Sequence, residues 1–103
     1  MNYKTFAEQI KDLVTENNLH EAVARFITRH PMLLDPPGPE IQEEGRIYPS
    51  RQGWIAVSEL LKQAEANDSE ISRQQFSDLI SREVGVMFFK MVEAEFKGIA
   101  VRW

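Results

Sequence analysis

Four of the chain's five prolines fall between Pro31 and Pro39. Proline fixes φ, lacks an N–H donor and keeps the residue before it out of the helical region. No helix or central strand can run through 31–39, so regular structure must be built separately on either side. At 103 residues the chain is one domain, long enough to bury a core without a metal or a crosslink.

On both sides the apolar residues recur at steps of three and four, the period of a helix with one buried face. Tyr3, Phe6, Ile10 and Leu13, with Val14 beside the last, predict a first helix from Tyr3 to about Glu16. Lys4, Glu8, Gln9, Lys11 and Asp12 take its outer face, and Asn17-Asn18 ends it, because asparagine suits turns and helix C-caps. Ala22, Val23, Phe26 and Ile27 form the inner face of a second helix from about His20 to Arg29, closed by Pro31. Met32-Leu33-Leu34 is a short apolar anchor.

Asp35 to Tyr48, about 14 residues, reads as an ordered or semi-ordered loop, rich in proline and then acidic from Glu40 to Glu44. A loop of that length in a small domain goes with function or mobility. The third helix begins around Arg51 with Ser50 as N-cap, and Trp54, Val57, Leu60, Leu61 and Ala64 face inward until Ala66-Asn67-Asp68. Ser72-Arg73-Gln74-Gln75 reads as a capping box that opens a fourth helix with Phe76, Leu79 and Ile80.

Val84-Gly85 predicts a break or tight crossing. A fifth helix then carries Met87, Phe88, Met91, Val92 and Phe96 and stops at Lys97-Gly98. Phe88 and Phe89 lie about 100° apart on such a helix, so at least one is expected to be exposed or to pack on a neighbour. The tail from Ile99 to Trp103 is strand-like in composition but has no evident partner strand. With no segment that alternates convincingly, the expected fold is all-α: about five short helices in a small bundle with one long Pro/acidic loop at about 35–48. It divides into a two-helix part over 1–34, the loop over 35–48, a three-helix part over 49–98 and a tail over 99–103.

Composition removes several function classes. A net charge of −4 and a pI of about 5.2 argue against broad nucleic-acid binding, which needs a dense positive surface. The absence of cysteine removes disulfides and cysteine-ligated metals. It fits a reducing compartment, and the cytoplasm is the expected location. No apolar run approaches the roughly 20 residues that span a bilayer. The opening residues, with Glu8 and Asp12 close behind, lack the continuous apolar centre of a signal peptide. Neither membrane nor nucleic acid is an expected partner.

Motifs for chemistry are sparse. No Gly-rich loop followed by Lys-Ser/Thr is present, nor the acidic Mg²⁺-holding motif after an apolar strand, so the chain cannot cradle a nucleoside triphosphate alone. No nucleophile–base pair stands at a defined spacing. His20 and His30, ten residues apart, do not suit helical metal pairing. His20 is expected to start the second helix, and His30 to be a solvated residue at its end. No metal ligands and no catalytic residues are assigned. Glu40, Glu43 and Glu44 could attract a cation or a basic partner.

The segment from Arg46 to Trp54 is the least generic. Tyr48, Pro49 and Trp54 suit structural support of a helix start, and Ser50 its cap. Arg46 and Arg51 are different: they bracket the positive end of a helix, where a cation is unfavourable unless an anion pairs with it. That mismatch marks Arg46 and Arg51, on either side of the Ser50 cap, as candidates for a phosphate-facing or interface position, since helix starts also hold phosphates.

Four stretches occur in an order that resembles the C-terminal helical lid region of MoxR-like AAA+ ATPases of phage and bacterial type. They are Leu19-His20-Glu21-Ala22-Val23-Ala24-Arg25-Phe26-Ile27, His30-Pro31-Met32-Leu33-Leu34, Tyr48-Pro49-Ser50-Arg51-Gln52-Gly53-Trp54 and Val84-Gly85, and the resemblance covers roughly Phe6 to Phe96. It implies a lid that closes over a nucleotide held by a larger α/β domain, with an arginine at a lid-helix start reaching the γ-phosphate. In this chain that sensor position falls at Gln52, with Arg51 one residue before it. The function so implied is that of a non-catalytic lid-like module, over 49–98, of an AAA+ ATPase. It would contribute to nucleotide-state sensing or subunit contacts, its protein partner being a separate nucleotide-binding core or a neighbouring subunit. ATP and Mg²⁺ would enter only when that core completes the site. The alternative is a small acidic adaptor or inhibitor that engages a basic protein surface through Glu40–Glu44.

Overall fold

The computed structural model describes residues 4–103. Tyr3, the expected first member of the N-terminal stripe, lies outside the described residues. Five helices follow in order: α1 (Phe6–Asn17), α2 (Glu21–Arg29), α3 (Arg51–Asn67), α4 (Arg73–Ile80) and α5 (Arg82–Glu95). The fold is mostly α, with one two-stranded parallel sheet formed by β1 (Ile71–Ser72) and β2 (Val101–Arg102). Among the described residues no helix is long and apolar enough to cross a membrane.

Local signals place most helix ends. Thr5 caps α1 by accepting from the Glu8 N–H, and Asn18 ends it in the left-handed conformation at φ 49°. Ser50 accepts from the Gly53 N–H at the start of α3, and left-handed Asp68 closes that helix. The capping box at Ser72 and Gln75 is formed in both directions. His20 starts α2 as expected, with Nδ1 accepting from the Ala22 N–H.

The core centres on a cluster of aromatic rings. Phe26, Trp54 and Phe88 meet pairwise with centroids 5.3–5.6 Å apart, and Phe76 adds to Phe88 at 5.0 Å. These four rings come from α2, α3, α4 and α5 and are fully or almost fully buried. Tilted and edge-to-face pairs at such distances add about 0.5–1.5 kcal/mol each beyond burial. Ile10 and Leu13 bring α1 onto this core, but Phe6 does not follow them and stays 54% exposed. Ser58, wholly buried in α3, accepts from the His20 N–H at 2.7 Å and so ties α3 to the start of α2.

Several expectations are corrected. The break between the last two helices is at Ser81, not at Val84-Gly85: Ser81 adopts φ 136° and caps α5, and Val84 and Gly85 are already helical. The tight crossing at Gly85 does hold, since a Cβ there would meet Ser77 Oγ at 2.4 Å and Ser77 Cα at 2.7 Å. Phe88 and Phe89 are both buried, and the expectation that one of them packs on a neighbour is met. Phe88 points into the aromatic core, and Phe89 packs edge-to-face on Trp103 at 5.4 Å. The tail therefore has a partner after all. It pairs with Ile71-Ser72 in parallel register, Ile71 opposite Val101, and buries Ile99. Met87 leaves the expected stripe and is exposed, while Phe96 is half-buried. His30 is half-buried rather than solvated, because its ring lies 4.6 Å from that of Phe26.

Candidate functional site

The segment from Arg46 to Trp54 is anchored at several points. Trp54 is fully buried, and its Nε1 donates to the Leu33 carbonyl at 2.8 Å, fixing the start of α3 to the turn at Pro31–Leu33. Gly53 allows α3 to touch the end of α4, where a Cβ would lie 2.4 Å from the Leu79 carbonyl oxygen. Pro49 is buried. Tyr48 accepts from the Glu43 N–H at 2.8 Å and lies beneath Arg46, whose guanidinium carbon is 5.7 Å from the ring centre. The loop is ordered by this bond, by the turn at Pro39–Ile41 and by Gln42 Nε2, which donates to the Pro37 carbonyl at 2.7 Å.

The electrostatic mismatch at this helix start is resolved within the chain. Arg51 Nε and Nη2 donate to the two carboxylate oxygens of Asp35 at 2.9 and 3.1 Å, and Nη2 also donates to Gln9 Oε1 at 2.7 Å. This fork joins α1, the proline loop and α3. The hydrogen bonds that Arg51 donates to Asp35 raise its pKa above the ordinary value. Arg46 reaches Glu83 at 3.1 Å and Glu43 at 3.5 Å, and these two carboxylates, Glu83 first, raise its pKa. Glu83 in turn is held below the ordinary carboxylate value by its own backbone N–H and then by Arg46. Gln52 is exposed. Ser50, Arg51 and Gln52 open α3, whereas Arg46 turns to Glu83 in the first turn of α5, and both guanidinium groups already have carboxylate partners.

The remaining candidates sit elsewhere. Glu40, Glu43 and Glu44 are exposed, and Ile41 among them is 66% exposed. His20 faces Glu65, and His30 stands at the opposite end of α2. Among the described residues no group of three His, Asp or Glu side chains is placed to hold a metal ion.

A cavity of about 530 Å³ forms an open cleft between the loop at Arg46 and the α4–α5 corner. Arg46, Arg73, Ser77, Asp78, Arg82 and Glu83 line it. Arg73 and Arg82 are not among the residues that sequence reasoning selects. A signal for them does exist. Ser-Arg occurs at Ser50-Arg51, Ser72-Arg73 and Ser81-Arg82, and each time it is the N-cap and first residue of a helix. Each pair sets a cation at a helix's positive end, and only at Arg51 does the structure supply a carboxylate fork.

No protein-family model, curated protein or solved structure matches the chain.

Proposed function

We propose that the chain is a non-catalytic, lid-like helical module of an AAA+ ATPase, acting on a nucleotide-binding core carried by another segment or chain. Two things support this reading: the order of the four motifs and the construction of the α3 start. The observation that carries it is the rigid seating of Arg51 and Gln52. The Ser50 cap, the Gly53–Leu79 contact and the Trp54–Leu33 bond hold this first turn from three sides, while Gln52 faces outward. In this reading Asp35 is the resident counter-ion of Arg51. Both side chains are partly solvent-exposed, and pairs of that kind contribute little net stability, so a phosphate on a docked core can take the place of Asp35. The core would supply ATP and Mg²⁺, and the module would report nucleotide state or contact a neighbouring subunit.

The test is turnover by AAA+ cores mixed with the chain. The wild type is expected to change the rate, Arg51→Ala to remove the change, and Asp35→Asn to enlarge it by freeing the guanidinium. Cores that neither bind the chain nor respond to any of the three forms would end this reading.

One observation favours a second reading, an acidic adaptor or inhibitor: the exposed Ile41 sits among Glu40, Glu43 and Glu44. An exposed apolar side chain with carboxylates close by in the chain suits a basic partner surface with an apolar centre. Such binding weakens steeply with salt. It survives Arg51→Ala and is lost when the glutamates are reversed to lysine; indifference to that reversal removes it.

A further inference from the structure

We propose that the cleft between Arg46 and the α4–α5 corner is a binding site for a small phosphate ester or diphosphate. Among the described residues, the buried side-chain polar atoms that lack a hydrogen-bond partner are Arg73 Nε and Ser77 Oγ. Both residues line this cleft, and they stand one helical turn apart on α4. Ser77 is 4% exposed. A buried polar atom left without a partner costs about 1–3 kcal/mol; Ser77 Oγ lies against Gly85 in the α4–α5 crossing, so Arg73 is the residue whose unpaired donor bears on the cleft.

The charges point the same way. Three arginines and two carboxylates line the cleft, so its lining is net positive. Asp78 accepts from Gln74 Nε2 at 2.7 Å, and Glu83 holds Arg46 at 3.1 Å. Arg73 and Arg82 have no carboxylate within ion-pair distance among the described residues. The Arg73 guanidinium carbon instead lies 4.6 Å from the centre of the Trp103 ring, a cation–π contact that fixes its position and leaves its charge uncompensated. Each of the two arginines is the first residue of a helix, so backbone partial charge adds to the positive potential.

Guanidinium forks match phosphate oxygens and bind them by short, charge-assisted hydrogen bonds. The donors come from α4, from α5 and from the loop, three directions that suit a tetrahedral anion better than a planar carboxylate. A volume of about 530 Å³ exceeds one phosphate and lies in the range of small-ligand sites. This inference does not rest on the lid-like reading: Arg51 lines a different groove, with Lys4, Gln9 and Glu16, and no partner chain is involved.

The isolated chain contains its own reporter. Trp54 is fully buried, whereas Trp103, stacked on Arg73, is 62% exposed. Fluorescence is followed while inorganic phosphate, pyrophosphate or glucose 6-phosphate is added at matched ionic strength. A saturable change with a midpoint at or below about 1 mM is expected for pyrophosphate or the sugar phosphate. A tighter midpoint for pyrophosphate identifies a diphosphate site, and a tighter one for the sugar phosphate identifies an ester site. Arg82→Gln, which leaves the reporter untouched, is expected to weaken binding about 10-fold or more, as loss of a charged hydrogen bond does. Asp78→Asn is expected to tighten it, and Arg51→Ala to leave it unchanged. The proposal is overturned by the absence of a saturable response to all three compounds. It is equally overturned by a response that Arg82→Gln does not weaken, or by one that Arg51→Ala abolishes.

Discussion

Gly53 sits against the carbonyl oxygen of Leu79 so closely that a Cβ would lie 2.4 Å from it. The start of α3 and the end of α4 therefore touch through bare backbone. The neighbour is main chain and cannot swing aside. Gly53→Ala gains about 1 kcal/mol of helix propensity yet is expected to destabilise the protein by about 1–3 kcal/mol through overpacking. A lower urea midpoint at unchanged slope is the readout, and a midpoint equal to or above wild type would show that α3 and α4 can separate without cost.

Trp54 joins two roles that substitution can separate. Trp54→Phe keeps an aromatic ring among Phe26 and Phe88 but loses the bond to the Leu33 carbonyl. The expected loss is about 1–3 kcal/mol, because the Leu33 carbonyl is left without that partner. Trp54→Ala, which also empties the centre of the core, should cost about 3–5 kcal/mol. Equal losses in the two variants would mean that the hydrogen bond, not the ring, dominates.

Stability should decline with acid in a definite window. Hydrogen bonds from Arg29, with Arg25 assisting, hold the Glu95 carboxyl below its ordinary value of 4.5. Glu83 is lowered likewise, first by its backbone N–H. A carboxyl whose pKa is lower in the folded than in the unfolded chain stabilises fully above the unfolded value and ceases to do so as pH falls through the folded one. Denaturation midpoints should thus hold steady just above pH 4.5 and drop below it. Glu95→Gln should start lower at neutral pH and decline less. Parallel curves for variant and wild type would show that the Arg25–Arg29–Glu95 brace between α2 and the end of α5 adds nothing.

The tail can be tested with light alone. Iodide should quench Trp103 and leave Trp54, which is 0% exposed, almost untouched. Trp103→Phe should leave a blue-shifted emission that resists quenching. Persistent strong quenching in that variant would place Trp54 near solvent and contradict the aromatic core.

Features that depend on neighbours three or four residues away could be read directly from the chain. The Ser50 cap, the Ser72–Gln75 capping box, the stop at Asn18 and the inner face of α2 are all of this kind, because helix geometry brings those residues together whatever surrounds them. Val84-Gly85 shows the limit. Glycine marked a close approach correctly, but the same residue also permits a break, and only the packing of Gly85 on Ser77 decides between them. The candidate site was legible to a similar degree. Ser50 and Arg51 open α3 as their spacing requires, but Arg46 lines the cleft with Arg73 and Arg82, each of which looks in the sequence like an ordinary first-turn residue.

From its sequence alone this protein was bound to be a small mostly helical domain, interrupted once by its prolines, since apolar period and proline stereochemistry act locally and leave little choice. The tertiary structure alone decided which charges are satisfied. Asp35 meets Arg51 across 16 residues and Glu83 meets Arg46 across 37, whereas Arg73 and Arg82 have no carboxylate partner among the described residues. It also decided that Phe89 is covered and that the tail finds a strand, by bringing 101 beside 71. Ion pairs and strand pairs between distant residues leave no periodic trace in the chain, because chain folding, not residue spacing, sets the distance between them.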